Sequence, residues 1–133
     1  MSRTLEQLVA AGDLTVAPEG ALPLRGGQEL SVLRVELAPG VAEPRHTHPG
    51  TEILRGLAGH GQVELDRTER VPLGPGDVVH VARGRVKALV NDGDETFTVL
   101  AVLVLDAGEP PLTPAESGRS RGAQRLPSSW RSP

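Results

Sequence analysis

GVAEPRHTHPGTEILRGLAG, residues Gly40–Gly59, is the stretch on which the reading of this chain turns. His46 and His48 are separated by one residue, and Glu52 follows four residues after His48. In an extended strand the side chains at i and i+2 share a face, so a His-x-His pair points two imidazoles the same way. Pro49-Gly50 turns the chain, letting Glu52 return a carboxylate from the start of the next strand. Two imidazoles and one carboxylate are a facial ligand set for a divalent transition metal with open coordination positions. Two histidines beside a Pro-Gly turn would look the same, and the triplet alone leaves both readings open.

Outward from this stretch, short β-like runs are punctuated by Gly and Pro. Leu30–Leu37 alternates, with Leu30, Val32 and Arg34 on one face and Ser31, Leu33, Val35 and Leu37 on the other. Downstream come Glu52–Leu57, Gly61–Leu65, Val71–Leu73, Val78–Ala82, Arg85–Val90 and the long run Thr96–Leu105. The connections carry turn chemistry: Asp66–Glu69, Gly74-Pro75-Gly76-Asp77 and Asn91-Asp-Gly-Asp94. With 16 Gly and 12 Pro in 133 residues, few windows can hold three helical turns. Many short strands at regular spacing predict an all-β sandwich or barrel.

The ends differ from this middle. Thr4-Leu-Glu-Gln7 reads as a capping box ahead of Leu5, Leu8 and Val9, predicting a short helix over residues 4–11 that stops at Gly12. Residues 1–29 are thus expected as helix and extended arm, and 30–106 as the barrel. In 107–133, five prolines fall among Gly, Ser and Arg, with only Leu112, Leu126 and Trp130 to bury. Such a tail cannot offset its ordering entropy and is expected to be disordered.

Composition excludes several classes of function. The absence of Cys removes disulfides, thiolate chemistry and Cys-ligated zinc, and fits a cytoplasmic protein. No long apolar run suggests export or membrane insertion. A net charge of −3 argues against a nucleic-acid partner. One Phe, one Trp and no Tyr leave an aliphatic-walled pocket, suited to a small-molecule substrate.

Motif spacing then brings a family into view. Gly40, His46, His48, Glu52 and Gly59 resemble the first cupin motif at every position, and Gly76, Gly84 and Asn91 match the spacing of the second. Two positions depart: Ala82 stands where the family has Pro, and Lys87 where it has its fourth metal ligand, a His. The resemblance spans about Leu30 to Leu105. It implies a double-stranded β-helix, the cupin jelly-roll barrel, with its site inside the mouth. By the same resemblance the site residues are His46, His48 and Glu52 around iron, manganese, nickel or zinc, and a homodimer is expected.

Lys87 divides the expectations. A charged ammonium has donors and no lone pair, so it is not a ligand. With metal held by the remaining three residues, Lys87 becomes an acid–base group beside Glu52, and the resemblance implies a dioxygenase-like enzyme or a polyketide-cyclase-like isomerase. Glu52 counts against a thiol dioxygenase. Without metal, Lys87 pairs with Glu52 in a polar pocket, and a non-catalytic small-molecule-binding cupin is the alternative. His80 would supply a fourth imidazole if its strand face turned inward, and is a surface residue if it turned outward. His60 is expected to be exposed at its turn. Arg34 and Arg55 read as substrate-carboxylate binders or as an outer face, and Arg83 and Arg85 as rim residues.

Overall fold

The expected strands close into two five-stranded sheets whose inner faces share one core. A computed structural model describes residues 3–106, 109 and 113–114. Its strands are β1 (Leu14–Pro23), β2 (Gln28–Leu37), β3 (His46–Thr47), β4 (Thr51–Ala58) and β5 (Gly61–Leu65). They continue with β6 (Glu69–Leu73), β7 (Val78–Val81), β8 (Lys87–Val90), β9 (Phe97–Asp106) and β10 (Thr113–Pro114). The long sheet has the order β1-β2-β9-β4-β7 and the short sheet β10-β3-β8-β5-β6, with antiparallel pairing throughout. This is the double-stranded β-helix that the motifs implied.

Period-two burial sets the register. In β2, Ser31, Leu33, Val35 and Leu37 are buried, and in β9 Leu103, Ala101, Val99 and Phe97 oppose them. A one-residue slip would carry both sets to the outer face, so the pattern pins the pairing. From the short sheet, Val63, Leu65 and Leu89 complete the core with Phe97. Each such side chain contributes roughly 1.5–3 kcal/mol on burial, so the core outweighs any single turn.

The N-terminal helix, Leu5–Ala10, has the expected capping box: Thr4 Oγ1 accepts from the Gln7 amide at 3.1 Å and Gln7 Oε1 from the Thr4 amide at 2.9 Å. Residues 14–23, expected as part of an extended arm, instead form β1, paired along β2. Its alternation is broken by a register shift between Pro18 and Gly20, which hides the strand from a periodicity reading. The expected disorder of the tail lies, apart from Glu109, Thr113 and Pro114, outside the described residues.

Two motif positions have clear mechanical roles. Gly59 has φ +72°, and a Cβ there would strike the Thr96 carbonyl, so the end of β4 requires glycine. Asn91 is fully buried: its Nδ2 donates to the carbonyls of Leu37, Ala38 and Glu95, and its Oδ1 accepts from the Gly93 amide. One side chain thus ties the turn after β8 to the end of β2.

Candidate functional site

Four of the five site residues named from sequence meet inside the barrel. His46, on β3, lies directly opposite Lys87 on β8. Glu52, near the start of β4, belongs to the other sheet. Lys87 Nζ donates to Glu52 Oε1 at 3.2 Å and Oε2 at 3.4 Å, so this ion pair joins the two sheets across the interior. His48 Nε2 stands 3.2 Å from Glu52 Oε2. The two imidazoles are edge to face with centroids 4.9 Å apart, on the same side of the chain as their i, i+2 spacing predicted. Lys87 is only 3% exposed and Glu52 only 1%, so neither charge is solvated and each depends on the other.

A fifth member was not visible in sequence. Glu43 is buried beside Lys87, with Oε1 3.8 Å from Nζ and 4.0 Å from His46 Nε2. The same oxygen accepts the Leu89 amide at 2.8 Å, while the Glu43 amide donates to the Leu89 carbonyl at 2.9 Å. The segment before β3 thereby pairs with β8 partly through a side chain. Between Ala42 and Pro44, Glu43 reads as an ordinary loop carboxylate. Only its position three residues before His46 hinted otherwise.

The two carboxyls are driven apart. Burial opposes ionisation of Glu52, but Lys87 and then His48 outweigh it and hold the pKa near about 2. For Glu43 burial prevails over Lys87 and the Leu89 amide, and its pKa is raised. Burial also works against the Lys87 charge, yet Glu52 and Glu43 more than compensate, so the ammonium is held above the ordinary lysine range. Burial first, and then the charge of Lys87, push His46 well below the ordinary imidazole range. His46 is therefore neutral.

A divalent cation is the group this donor set implies. His46 is prepared for one: its Nδ1 donates to the Pro44 carbonyl at 2.8 Å, leaving the Nε2 lone pair buried with no hydrogen-bond partner. Glu52 is not, because Lys87 already engages both of its oxygens. Among the described residues, no group of three or more His, Asp or Glu side chains is arranged to hold a metal ion. A dication here would share Glu52 with a buried ammonium, where like charges repel strongly. As arranged, these residues do not fit a metal ion.

The remaining candidates lie elsewhere. His80, weighed as a fourth ligand, is exposed on the outer face of β7, opposite Ile53, with Nε2 2.7 Å from Thr51 Oγ1. The register that turns Val81 into the core turns its neighbour out. His60 is exposed at its turn, and Arg55 is exposed on the outside of β4. Arg34 is also outward and pairs with Glu36 at 3.7 Å, while Arg85 binds Asp66 and Glu69 at the rim. A cavity of about 410 Å³ touches the buried cluster at Glu43 alone, and its polar lining is otherwise Arg3, Arg45, Glu64 and Arg70.

Residues 33–103 match the Cupin_2 family, cupin domain, and the chain belongs to it. Among curated proteins it is 31% identical over 122 residues to a glucose-6-phosphate isomerase of Thermococcus kodakarensis, covering 88% of this chain and 60% of that one. The chain thus spans about three fifths of that relative's length. Among solved structures, a Cupin 2 conserved barrel domain protein of Salinispora arenicola aligns at 31% identity and TM-score 0.56, over 71% of this chain and 76% of that one. The DMSP lyase DddQ of Ruegeria pomeroyi aligns at 27% identity and TM-score 0.61, over 74% and 50%. No helix among the described residues is long and apolar enough to cross a membrane.

Proposed function

We propose that this cupin acts on a small carbonyl compound by metal-independent acid–base chemistry of the isomerase or lyase type, with Lys87 supplying the site's positive charge. The observation that carries this reading is the Lys87 ammonium across both oxygens of Glu52, where the family places a metal-ligating imidazole opposite its metal-ligating carboxylate. Glu52, held ionised, fixes the ammonium in place. A carbonyl oxygen reaching Nζ would gain a charged donor that strengthens as negative charge develops on it.

Two carboxyls whose environments separate their pKa values suit different roles. Glu52 stays an anion. Glu43, whose pKa is raised, suits a general base: it takes a proton from the carbon next to the carbonyl, and the C–H electron pair moves onto the oxygen held by Lys87. Where the deprotonated carbon bears a hydroxyl, moving the hydroxyl proton to the oxygen held by Lys87 and returning the carbon-bound proton from Glu43 to the former carbonyl carbon shifts the C=O by one carbon and gives an isomer. Where the next carbon bears a leaving group, its departure with the bonding electron pair as the enolate reverts to the carbonyl gives an elimination product. The bare Nε2 of neutral His46 accepts a hydrogen bond from a substrate hydroxyl. The isomerase from Thermococcus and the lyase from Ruegeria support a non-redox class of reaction and leave the substrate open. A dioxygenase-like role needs a metal with free coordination positions, which Lys87 opposes.

Near-complete burial of the five side chains favours a second reading, small-molecule binding without turnover, on the same Lys87–Glu52 pair. The two separate in D2O with excess chelator, by following deuterium uptake into small hydroxyketones and sugar phosphates by NMR. Catalysis gives exchange that survives chelation and is lost in Lys87→Met and Glu43→Gln. Exchange abolished by chelation would overturn the metal-free reading, and ligand binding without exchange would select the binding role. Either role keeps the partner a small molecule rather than nucleic acid or membrane. A cytoplasmic location is supported by the absence of cysteine.

A further inference from the structure

The short sheet carries a polar row on the face turned away from the core. Along β5, Val63 and Leu65 point inward, so Glu64 between them points out, and on β8 Ala88 points out between Lys87 and Leu89. The register sets Arg70 of β6, Glu64 of β5 and Ala88 of β8 side by side, and Arg45 follows just before β3, beyond β8. Outward residues of an antiparallel sheet ordinarily meet water, yet Glu64 is only 5% exposed and Ala88 only 3%. Two guanidiniums close over Glu64. Arg45 reaches it across β8, with Nε donating to Oε1 at 2.6 Å and Nη2 to Oε2 at 3.4 Å, and Arg70 Nη2 donates to Oε2 at 3.3 Å. Arg70 Nη1 is held in turn by Gln62 Oε1 at 3.1 Å.

We infer that this row is one wall of a binding site for a small oxyanion, a carboxylate or phosphate carried on a short aliphatic body. Size is the first support. The cavity of about 410 Å³ that Arg45, Glu64 and Arg70 line falls within the range of small-molecule sites. Charge is the second. The hydrogen bond from Arg45 holds the Glu64 carboxyl below the ordinary carboxylate range, so it is an anion. One carboxylate is nevertheless shared by two guanidiniums, and the row stays cationic in a chain whose net charge is −3. Glu43, the other carboxyl of the lining, turns to Lys87 and the Leu89 amide, and Arg3 brings a third guanidinium paired with Asp13 at 2.7 Å. Preorganisation is the third support. A guanidinium has five donors, and the bonds to Glu64 and Gln62 use two on each arginine while fixing both forks before a ligand arrives. Ala42, Ala88 and Val90 give the rest of the lining the aliphatic surface that a short carbon chain would cover. The β3–β8 wall separates this cavity from Lys87, so the ligand is not the substrate of the buried cluster, and the site stands whether or not that cluster turns one over.

Titration of the 15N-labelled full chain with isovalerate, glycerol phosphate and uncharged isoamyl alcohol, followed by NMR at the arginine Nε–H and backbone amide signals, tests this. The two anions are expected to give saturable shifts at Arg45, Arg70 and Ala88 with dissociation constants of about 1 mM or below, and the alcohol to give none. The tighter of the two names the oxyanion. Ala42→Asp sets a carboxylate at an exposed position of the lining without touching the Arg45–Glu64–Arg70 row, and should weaken binding by about tenfold or more. Arg70→Gln should weaken it comparably, with an otherwise native spectrum. Absence of a saturable shift with either anion overturns the proposal. So does binding that both variants leave unchanged, which would place the anion elsewhere, or an equal response to the alcohol, which would make the cavity merely apolar.

Discussion

Lys87 and Glu52 face each other from opposite sheets, with Nζ 3.2 Å from one carboxylate oxygen and 3.4 Å from the other. Each is almost wholly removed from water, so the desolvation of each charge is offset chiefly by the other, with Glu43 beside Lys87 and His48 beside Glu52 as lesser contributors. Removing one partner should therefore cost far more than removing both. Lys87→Met is expected to destabilise the fold by about 3–5 kcal/mol, and Lys87→Met with Glu52→Gln by clearly less. Urea denaturation of the two singles and the double gives the coupling directly. Additive losses would mean that the pair is not the interaction holding the sheets at this point.

Acid should reveal the same pair. Glu52 titrates near about 2 in the folded protein against 4.5 ordinarily, because Lys87 and His48 outweigh its burial. A depressed folded pKa stabilises above the unfolded value, so this contribution is complete above pH 4.5 and is lost as pH falls toward 2. It is on the order of 3 kcal/mol. Glu43 has the opposite sign: its raised pKa favours the folded state at low pH, and that advantage disappears as pH rises through its folded value. Thermal melts between pH 6 and 2 should show a steep acid limb in the wild type that flattens in Glu52→Gln and steepens in Glu43→Gln.

His80 gives a sharp negative control. Its imidazole bonds Thr51 on the outer face of the long sheet, whereas His46 is buried on the short sheet. His80→Ala should shift stability by less than about 1 kcal/mol and leave any ligand affinity or exchange activity unchanged. A large loss of activity would mean that the outer face of β7 takes part in the reaction.

Reading the sequence located the barrel, because period-two alternation in Leu30–Leu37 and Thr96–Leu105 survives any local detail. It also brought His46, His48, Glu52 and Lys87 together, since two of them share a strand face and two stand at fixed motif spacings. β1 escaped because Pro18 and Gly20 break its pattern where the strand bulges. Glu43 escaped for a different reason. Its role depends on a cross-strand contact with Leu89, which leaves no periodic trace in the chain. The competition between metal and lysine could not be resolved from ligand types alone, because it turns on whether the ammonium reaches both carboxylate oxygens. Lys87 is also the chain's single lysine, so its cation is the one ammonium side chain the sequence supplies.

Elemental analysis of purified wild-type protein and Lys87→His, after incubation with iron, manganese, nickel and zinc and removal of free ions, tests the central claim most directly. A cation site closed by Lys87 predicts a wild type holding well below one ion per chain. The imidazole of Lys87→His frees both Glu52 oxygens, and that variant should bind about one ion per chain. A stoichiometric ion in the wild type that is lost on His46→Ala would contradict the account and return the site to His46, His48 and Glu52 as metal ligands.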